Sequence, residues 1–235
     1  GVQTCALPIS GIAELGLELN DEQVGKLLSY LDWVAKWNKV YNLTALRDPQ
    51  EMLTHHLLDS LAAVAPLRRQ LAAMGLAKPR LLDVGSGAGL PGAVFAIVCP
   101  ELDVSCVDTV AKKALFIQQI AAALRLPNLH GLHARVENLK QQWDVVSSRA
   151  FASLADFTNW SRQALAEEGV WLAMKGKHPA DEIVALGGDG IGAGAVRELS
   201  LGRGRRRAPD RARPGGRHGI GYQGRGSGGH PGSGQ

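Results

Sequence analysis

Residues 83–92 read Asp83-Val84-Gly85-Ser86-Gly87-Ala88-Gly89-Leu90-Pro91-Gly92, and four of these ten residues are glycine. The apolar pair Leu81-Leu82 precedes this segment, and the apolar run 93–98 follows it. A short buried strand is therefore expected to turn sharply into a helix here. Because glycine permits positive φ and lets the backbone lie against a ligand, we predict a ligand-binding turn over residues 85–91, the glycine loop.

Strand and helix patterns alternate on the C-terminal side of the glycine loop. The predicted strands are residues 81–84, 104–107, 129–133, 143–147 and 169–175, and the predicted helices are 90–98, 110–124 and about 153–166. Such alternation with short connections predicts an α/β fold with a doubly wound, mostly parallel sheet. Ligands bind such sheets beyond the carboxyl ends of the strands, where the glycine loop lies.

The N-terminal residues 12–79 are predicted to form a helical part ahead of the sheet. Asn20 is the expected N-cap of its first helix, with Gln23 three residues later. A second helix is expected to start at Asp48-Pro49, and Pro66 and the segment 75–79 to close the helical part. Residues 80–186 then form the ligand-binding domain.

Both ends of the chain differ from its body in composition. Residues 1–11 contain no Met and no charged segment before their apolar residues, so we expect a non-native or disordered leader rather than a signal peptide. Residues 187–235 are rich in Arg and Gly and cannot bury enough apolar surface to offset chain entropy. We predict a disordered tail, either an RNA-binding arm or a segment that is not the natural C-terminus.

The net charge of +4 does not identify a partner. Residues 185–235 hold nine arginines against three acids, which is +6, and the other 184 residues hold 17 basic and 19 acidic side chains, which is −2. No apolar run is long enough for a membrane span. Three cysteines without a CxxC pair predict neither a disulfide scaffold nor a metal site, and they favour a reducing, cytoplasmic location.

The position of Asp83 favours one class of cofactor. A literal GxGxxG at Gly87, Gly89 and Gly92 raises the possibility of a dinucleotide, but the turn already starts at Gly85. A carboxylate two residues before that turn repels a pyrophosphate and attracts a cation. It therefore suits S-adenosylmethionine, which carries an ammonium and a sulfonium. The alternative is that Asp83 caps the turn by accepting backbone N–H groups.

Two further positions are expected to hold the adenosine portion of the cofactor. Asp108 ends the second predicted strand, 23 residues after Gly85, and an acid there accepts both ribose hydroxyls of NAD or of S-adenosylmethionine alike. Val136-Glu137 follows the third strand and is expected to flank the adenine.

Five blocks of the chain together resemble the RsmG (GidB) family of methyltransferases, which act on N7 of a guanine in 16S ribosomal RNA. The resemblance spans about residues 12–185 and is carried, in order, by residues 37–44 (Trp-Asn-Lys-Val-Tyr-Asn-Leu-Thr), 47–52, 56–60, the glycine loop with Leu90-Pro91-Gly92, and 148–154. It implies a class I S-adenosylmethionine-dependent methyltransferase fold. The family ends in a final strand pair for which this chain shows no pattern.

The resemblance also implies the site residues. Contacts to S-adenosylmethionine are expected from Gly85, Leu90, Val136, Glu137 and Arg149, with Asp108 at the ribose and with Gly87 and Gly89 shaping the loop. Guanine N7 has no proton to lose, so no catalytic base is expected, and Arg149 is the candidate orienting residue.

Ribosomal RNA or the small ribosomal subunit is the expected partner of a monomeric enzyme. Arg149, Lys175 and Lys177 are its candidate RNA contacts. The alternatives are an NAD-linked oxidoreductase and a non-catalytic protein that binds RNA through its Arg-rich tail.

Overall fold

The computed structural model describes residues 11–43, 57–149, 153–175 and 196–200, and of Lys175 and residues 196–200 it describes the backbone alone. The chain divides into a compact unit, Gly1–Arg203, and a second unit, Gly204–Gln235, that lies outside the described residues. The start predicted for the second helix, at Asp48-Pro49, also lies outside them.

The described N-terminal residues include the helices α1 (Asp21–Tyr41), α2 (Asp59–Ala62) and α3 (Val64–Met74). The predicted capping of α1 is confirmed: Asn20 accepts from the Gln23 N–H at 2.8 Å, and the Gln23 side chain accepts from the Asn20 N–H at 3.1 Å. The expectation that Pro66 ends a helix is wrong. Pro66 lies in the first turn of α3, where its missing N–H would have no intrahelical partner.

The described residues contain one sheet of six parallel strands in the order β3-β2-β1-β4-β5-β6. The strands are β1 (Arg80–Val84), β2 (Asp103–Asp108), β3 (Leu129–His133), β4 (Trp143–Arg149), β5 (Leu165–Lys175) and β6 (Val196–Ser200). Central strand β1 pairs with β2 on one side and β4 on the other. Its carboxyl end therefore lies where the strand order reverses, which is the usual ligand position in such sheets.

Helices cover both faces of the sheet. The helices α4 (Gly92–Val98) and α5 (Ala111–Ala123) pack with α1 and α3 in one core cluster. On the other face, α6 (Leu154–Ser161) packs with Val136, which begins the 3-10 helix Val136–Asn138, in a second cluster. A second 3-10 helix, Arg162–Ala164, connects α6 to β5. The predicted doubly wound α/β fold with an N-terminal helical extension is confirmed.

Strand β6 corrects the expectation for the C-terminal region. Residues 187–235 were expected to be disordered, with no strand beyond β5, but residues 196–200 pair in parallel with β5 from Trp171 to Lys175. The pattern Val196-Arg197-Glu198-Leu199-Ser200 contains only two apolar residues. Backbone hydrogen bonds to one neighbour hold such an edge strand, so it needs no apolar run.

Candidate functional site

The glycine loop leaves β1 as a turn with three left-handed residues. The φ angles of Gly85, Gly87 and Gly89 are 66°, 59° and 88°, a region that residues with a Cβ rarely adopt. A methyl group added at Gly89 would lie 2.5 Å from Ile117 Cδ1 and 3.2 Å from Ala93 Cβ. The predicted turn is thus present, and at Gly89 the backbone conformation favours glycine while an added methyl group would require Ile117 to move.

Backbone hydrogen bonds attach this turn to β2 and to its own helix. The N–H groups of Gly85 and Ser86 donate to the Val107 carbonyl at 2.9 and 3.3 Å. The Gly89 N–H donates to the Ser86 carbonyl at 2.8 Å, and its own carbonyl accepts from Ala93 at 2.7 Å. These bonds leave the loop wrapped over the carboxyl ends of β1 and β2.

Asp83 lies beneath the loop and is fully buried. Its Oδ2 accepts from the Gly92 N–H at 2.9 Å, and its Oδ1 accepts from Ser147 Oγ at 3.0 Å. Burial raises the pKa of Asp83 to about 7, although these two hydrogen bonds and the charge of Arg149 act in the opposite direction. The geometry matches the alternative in which Asp83 caps the turn.

Asp108 ends β2 and forms one wall of the site. Its Oδ1 accepts from the Val110 N–H at 2.9 Å, and its Oδ2 accepts from the Gly87 N–H at 3.1 Å and lies 3.7 Å from Lys113 Nζ. Two backbone N–H donors on two oxygens, with the Lys113 ammonium farther away, leave part of the acceptor capacity of the carboxylate unused. The carboxylate is therefore held in one orientation and retains capacity to accept from a ligand.

A cavity of about 360 Å³ opens beside Asp108. Its wall is built from the ends of β1 and β2, the residues that follow each of them, the segment after β3, and one residue each of α5 and α6. The lining residues are Val84, Gly85, Val107, Asp108, Thr109, Val110, Lys113, Ala134, Arg135, Val136, Glu137 and Trp160. The volume, the apolar wall and one fixed carboxylate suit a nucleoside.

The structure brings some of the predicted site residues together and separates others. Gly85, Asp108, Val136 and Glu137 line the cavity, and Gly87 adjoins it through its bond to Asp108. Leu90 is buried in the larger core cluster, and neither it nor Asp83 nor Gly89 lines the cavity.

None of the three predicted RNA contacts is among the described residues that line the cavity. Arg149 ends β4, on the side of β1 opposite β2, and is half-buried. Lys175 ends β5 with only its backbone described, and Lys177 lies outside the described residues.

Sequence reasoning missed Trp160. This side chain lines the cavity and is 50% exposed. A signal existed, because the buried residues of α6 are Leu154, Phe157, Thr158 and Ser161, and Trp160 lies off that face. An aromatic residue outside the apolar stripe of a helix is a candidate for contact with a ligand. Thr109, Val110 and Lys113 were missed because only the turn after β2 brings them to the cavity.

Neither a metal centre nor a membrane span is found in the described part of the chain. Within the described ranges, no three His, Cys, Asp or Glu side chains are grouped as metal ligands. The helices described there include none that is both long and apolar enough to cross a bilayer.

The strand order, the glycine turn after β1 and the acid ending β2 define a doubly wound α/β protein with a site for an adenosine-containing cofactor. Residues 23–194 match the sequence model of the GidB family, described as rRNA small subunit methyltransferase G. The chain belongs to this family. The same strand order occurs in NAD-binding proteins, and the family match decides against the oxidoreductase alternative.

Curated relatives carry the same description. The chain is 71% identical over 184 residues to ribosomal RNA small subunit methyltransferase G of Acidovorax sp. (strain JS42), covering 76% of this chain and 81% of the relative. It is 66% identical over 177 residues to the protein of that name from Polaromonas naphthalenivorans (strain CJ2), covering 75% and 80%.

Solved structures show weaker similarity. A Plasmodium falciparum protein described as a putative protein-L-isoaspartate O-methyltransferase, in complex with S-adenosyl-L-homocysteine, is 15% identical with a TM-score of 0.44, covering 70% of this chain and 80% of that one. A Thiobacillus denitrificans S-adenosylmethionine-dependent methyltransferase, also with S-adenosyl-L-homocysteine, is 20% identical with a TM-score of 0.36, covering 46% and 47%. The family assignment rests on the sequence matches.

Proposed function

We propose that this protein transfers a methyl group from S-adenosylmethionine to N7 of a guanine in 16S ribosomal RNA. The observation that carries the proposal is the match of residues 23–194 to the family, since this range includes the glycine loop, Asp108 and Arg149. The fixed carboxylate and the cavity beside it supply a site of the right size and chemistry for the cofactor.

We assign a role to each cofactor residue from its position relative to the cavity. Asp108 accepts from the ribose hydroxyls, because it lines the cavity and its two oxygens retain acceptor capacity. Val136 supplies an apolar surface for the adenine, Glu137 borders it, and Trp160 offers a ring for stacking on the base. The glycine loop, with Gly85, Gly87, Gly89 and Leu90, lies toward the methionine portion. Asp83 acts through the loop by holding Gly92.

When bound, S-adenosylmethionine supplies an electrophilic methyl group on a sulfonium. Guanine N7 accepts that group with its lone pair and releases no proton, so the protein needs no general base. The residues of the site have to bind and orient the two reactants. Alignment of this kind lowers an activation barrier by roughly 7–11 kcal/mol. Arg149, at the end of β4, is the residue proposed to orient the guanine or a phosphate beside the loop.

The finer partner assignments are also part of the proposal. Lys175, at the end of β5, and Lys177 are the proposed contacts to RNA phosphates, whose charge favours lysine without specifying sequence. The enzyme acts in the cytoplasm as a monomer on ribosomal RNA or on the small ribosomal subunit.

The test is methylation of small-subunit RNA and of small-subunit particles with methyl-labelled S-adenosylmethionine. The RNA is digested afterwards and its nucleosides are separated by mass. Label in 7-methylguanosine is expected. The matched variants are Asp108→Asn at the cavity and Asp103→Asn at the opposite end of β2, and only the first should lose activity. Cofactor binding without label in either substrate, or label in another nucleoside, would contradict the proposed acceptor.

A further inference from the structure

Helix α1 reaches the glycine loop through one hydrogen bond. Tyr30 on α1 is fully buried, and its hydroxyl donates to the Ala88 carbonyl at 2.9 Å, 58 residues away in sequence. Ala88 lies between Gly87 and Gly89, which both have positive φ. The bond therefore connects the helical part to the centre of the loop.

The donor is held firmly in place. Leu27 and Val34, one turn to either side of Tyr30, are buried in the same core, and the Trp37 ring lies 5.3 Å from the Phe116 ring of α5. Burial raises the pKa of Tyr30 well above its ordinary value, so the hydroxyl keeps its proton and donates. A rigid element thus presents a fixed donor to the loop.

The loop needs an external attachment at this point. Glycines on both sides of Ala88 allow its peptide groups to rotate, because no Cβ restricts them. The Ala88 carbonyl shares its peptide group with the Gly89 N–H that bonds Ser86, and the Gly87 N–H that bonds Asp108 lies two peptide groups earlier in the same loop. Fixing the Ala88 carbonyl limits these rotations, and with them the orientation of the cofactor-binding surface.

We propose that Tyr30 is a positioning residue for S-adenosylmethionine: it holds the glycine loop in the conformation that binds the cofactor, without touching the cofactor itself. This inference rests on the proposed function. It makes cofactor affinity depend on α1, which contributes no residue to the cavity.

The test is the variant Tyr30→Phe, compared with Gln23→Ala on the same helix. Gln23 Nε2 donates to the Ile97 and Val98 carbonyls, each at 3.3 Å, at the end of α4 away from the loop. Calorimetry should show the Kd for S-adenosylhomocysteine rising about 3- to 10-fold in Tyr30→Phe, as expected for loss of one buried hydrogen bond.

Kinetics separates positioning from a purely structural role. The KM for S-adenosylmethionine should rise with the Kd while kcat changes little, because the loop binds ground state and transition state alike. Gln23→Ala lowers stability but should leave both constants unchanged. Replacing Tyr30 with 4-aminophenylalanine, which keeps a donor, should restore affinity.

The outcomes are distinguishable. An unchanged Kd in Tyr30→Phe, with the unaltered protein binding normally, overturns the role of Tyr30 alone. Failure of the unaltered protein to bind S-adenosylmethionine overturns the proposed function instead. If Tyr30→Phe does not fold, amide hydrogen exchange of the unaltered protein is measured instead. The Gly87 and Gly89 amides should exchange as slowly as the amides around Tyr30. Much faster exchange at Gly87 and Gly89 overturns the proposal.

Discussion

The N–H of Gly87 donates to Asp108 Oδ2 at 3.1 Å, and this bond joins the glycine loop after β1 to the end of β2. The two residues are 21 positions apart in sequence. Gly87 follows β1, and Asp108 is the last residue of the neighbouring parallel strand β2. The loop and the carboxylate therefore form one unit, and a change in either is expected to alter cofactor binding.

Replacing Asp108 with Asn should weaken cofactor binding strongly. The substitution removes a charged acceptor, and hydrogen bonds to charged groups contribute about 1.5–3 kcal/mol, so the Kd for S-adenosylmethionine should rise by roughly 10- to 100-fold. Calorimetry measures this directly. Asp103→Asn is the control, because Asp103 lies at the start of β2 and pairs with His130 at 2.7 Å, outside the cavity. Equal affinity in Asp108→Asn and the unaltered protein would exclude ribose binding by this residue.

Removing the ring of Trp160 should weaken binding to a smaller extent. A stacked aromatic pair contributes about 0.5–1.5 kcal/mol beyond the area it buries, so Trp160→Ala should raise the Kd for S-adenosylhomocysteine about 3- to 10-fold, and Trp160→Phe less. Leu115→Ala serves as the control, since Leu115 is similarly exposed but lies on α5 away from the cavity wall. Identical titrations for Trp160→Ala and Trp160→Phe would argue against stacking.

Asp83 should make stability depend on pH. Its pKa is near 3.8 in an unfolded chain and is raised to about 7 by burial in the fold. The folded state holds the proton on Asp83 more tightly than the unfolded state does. The contribution of this proton to the free energy of unfolding is therefore fully present below about pH 4 and is lost as pH rises to about 7. The free energy of unfolding, relative to Asp83→Asn, should fall by up to about 4 kcal/mol across this window. Denaturant titrations of both proteins at several pH values measure it, and a difference that grows with pH would refute the assignment.

Glycine at position 89 should be far less replaceable than glycine at position 16. Both have positive φ, but a methyl group at Gly16 meets no atom within 4 Å, whereas at Gly89 it would lie 2.5 Å from Ile117 Cδ1. Gly16→Ala should cost about 1–2 kcal/mol from backbone strain alone. Gly89→Ala adds overpacking and should cost about 2–5 kcal/mol. The measurement is the free energy of unfolding of each variant relative to the unaltered protein. Similar values for the two variants would show that the loop relaxes freely.

Local patterns predicted the parts of the fold that depend on neighbouring residues. The capping of α1 by Asn20 and Gln23 involves groups three residues apart, and the glycine loop lies between an apolar strand and an apolar helix. Strand β6 was missed because it depends on pairing with β5 rather than on its own composition. Trp160 and Tyr30 were missed as site residues because each meets the site only after distant segments pack together.

The sequence by itself determined the alternation of strands and helices, the turn at the glycine loop, the acid at the end of β2 and the family. These features are set by periodicity, by glycine's backbone freedom and by residues close in the chain. Only the tertiary structure decided that Asp83 bonds Gly92 and Ser147, that Trp160 lines the cavity and that Tyr30 bonds the Ala88 carbonyl. Each of these contacts joins atoms of different elements, and their geometry is fixed only when the sheet and its helices pack into one core.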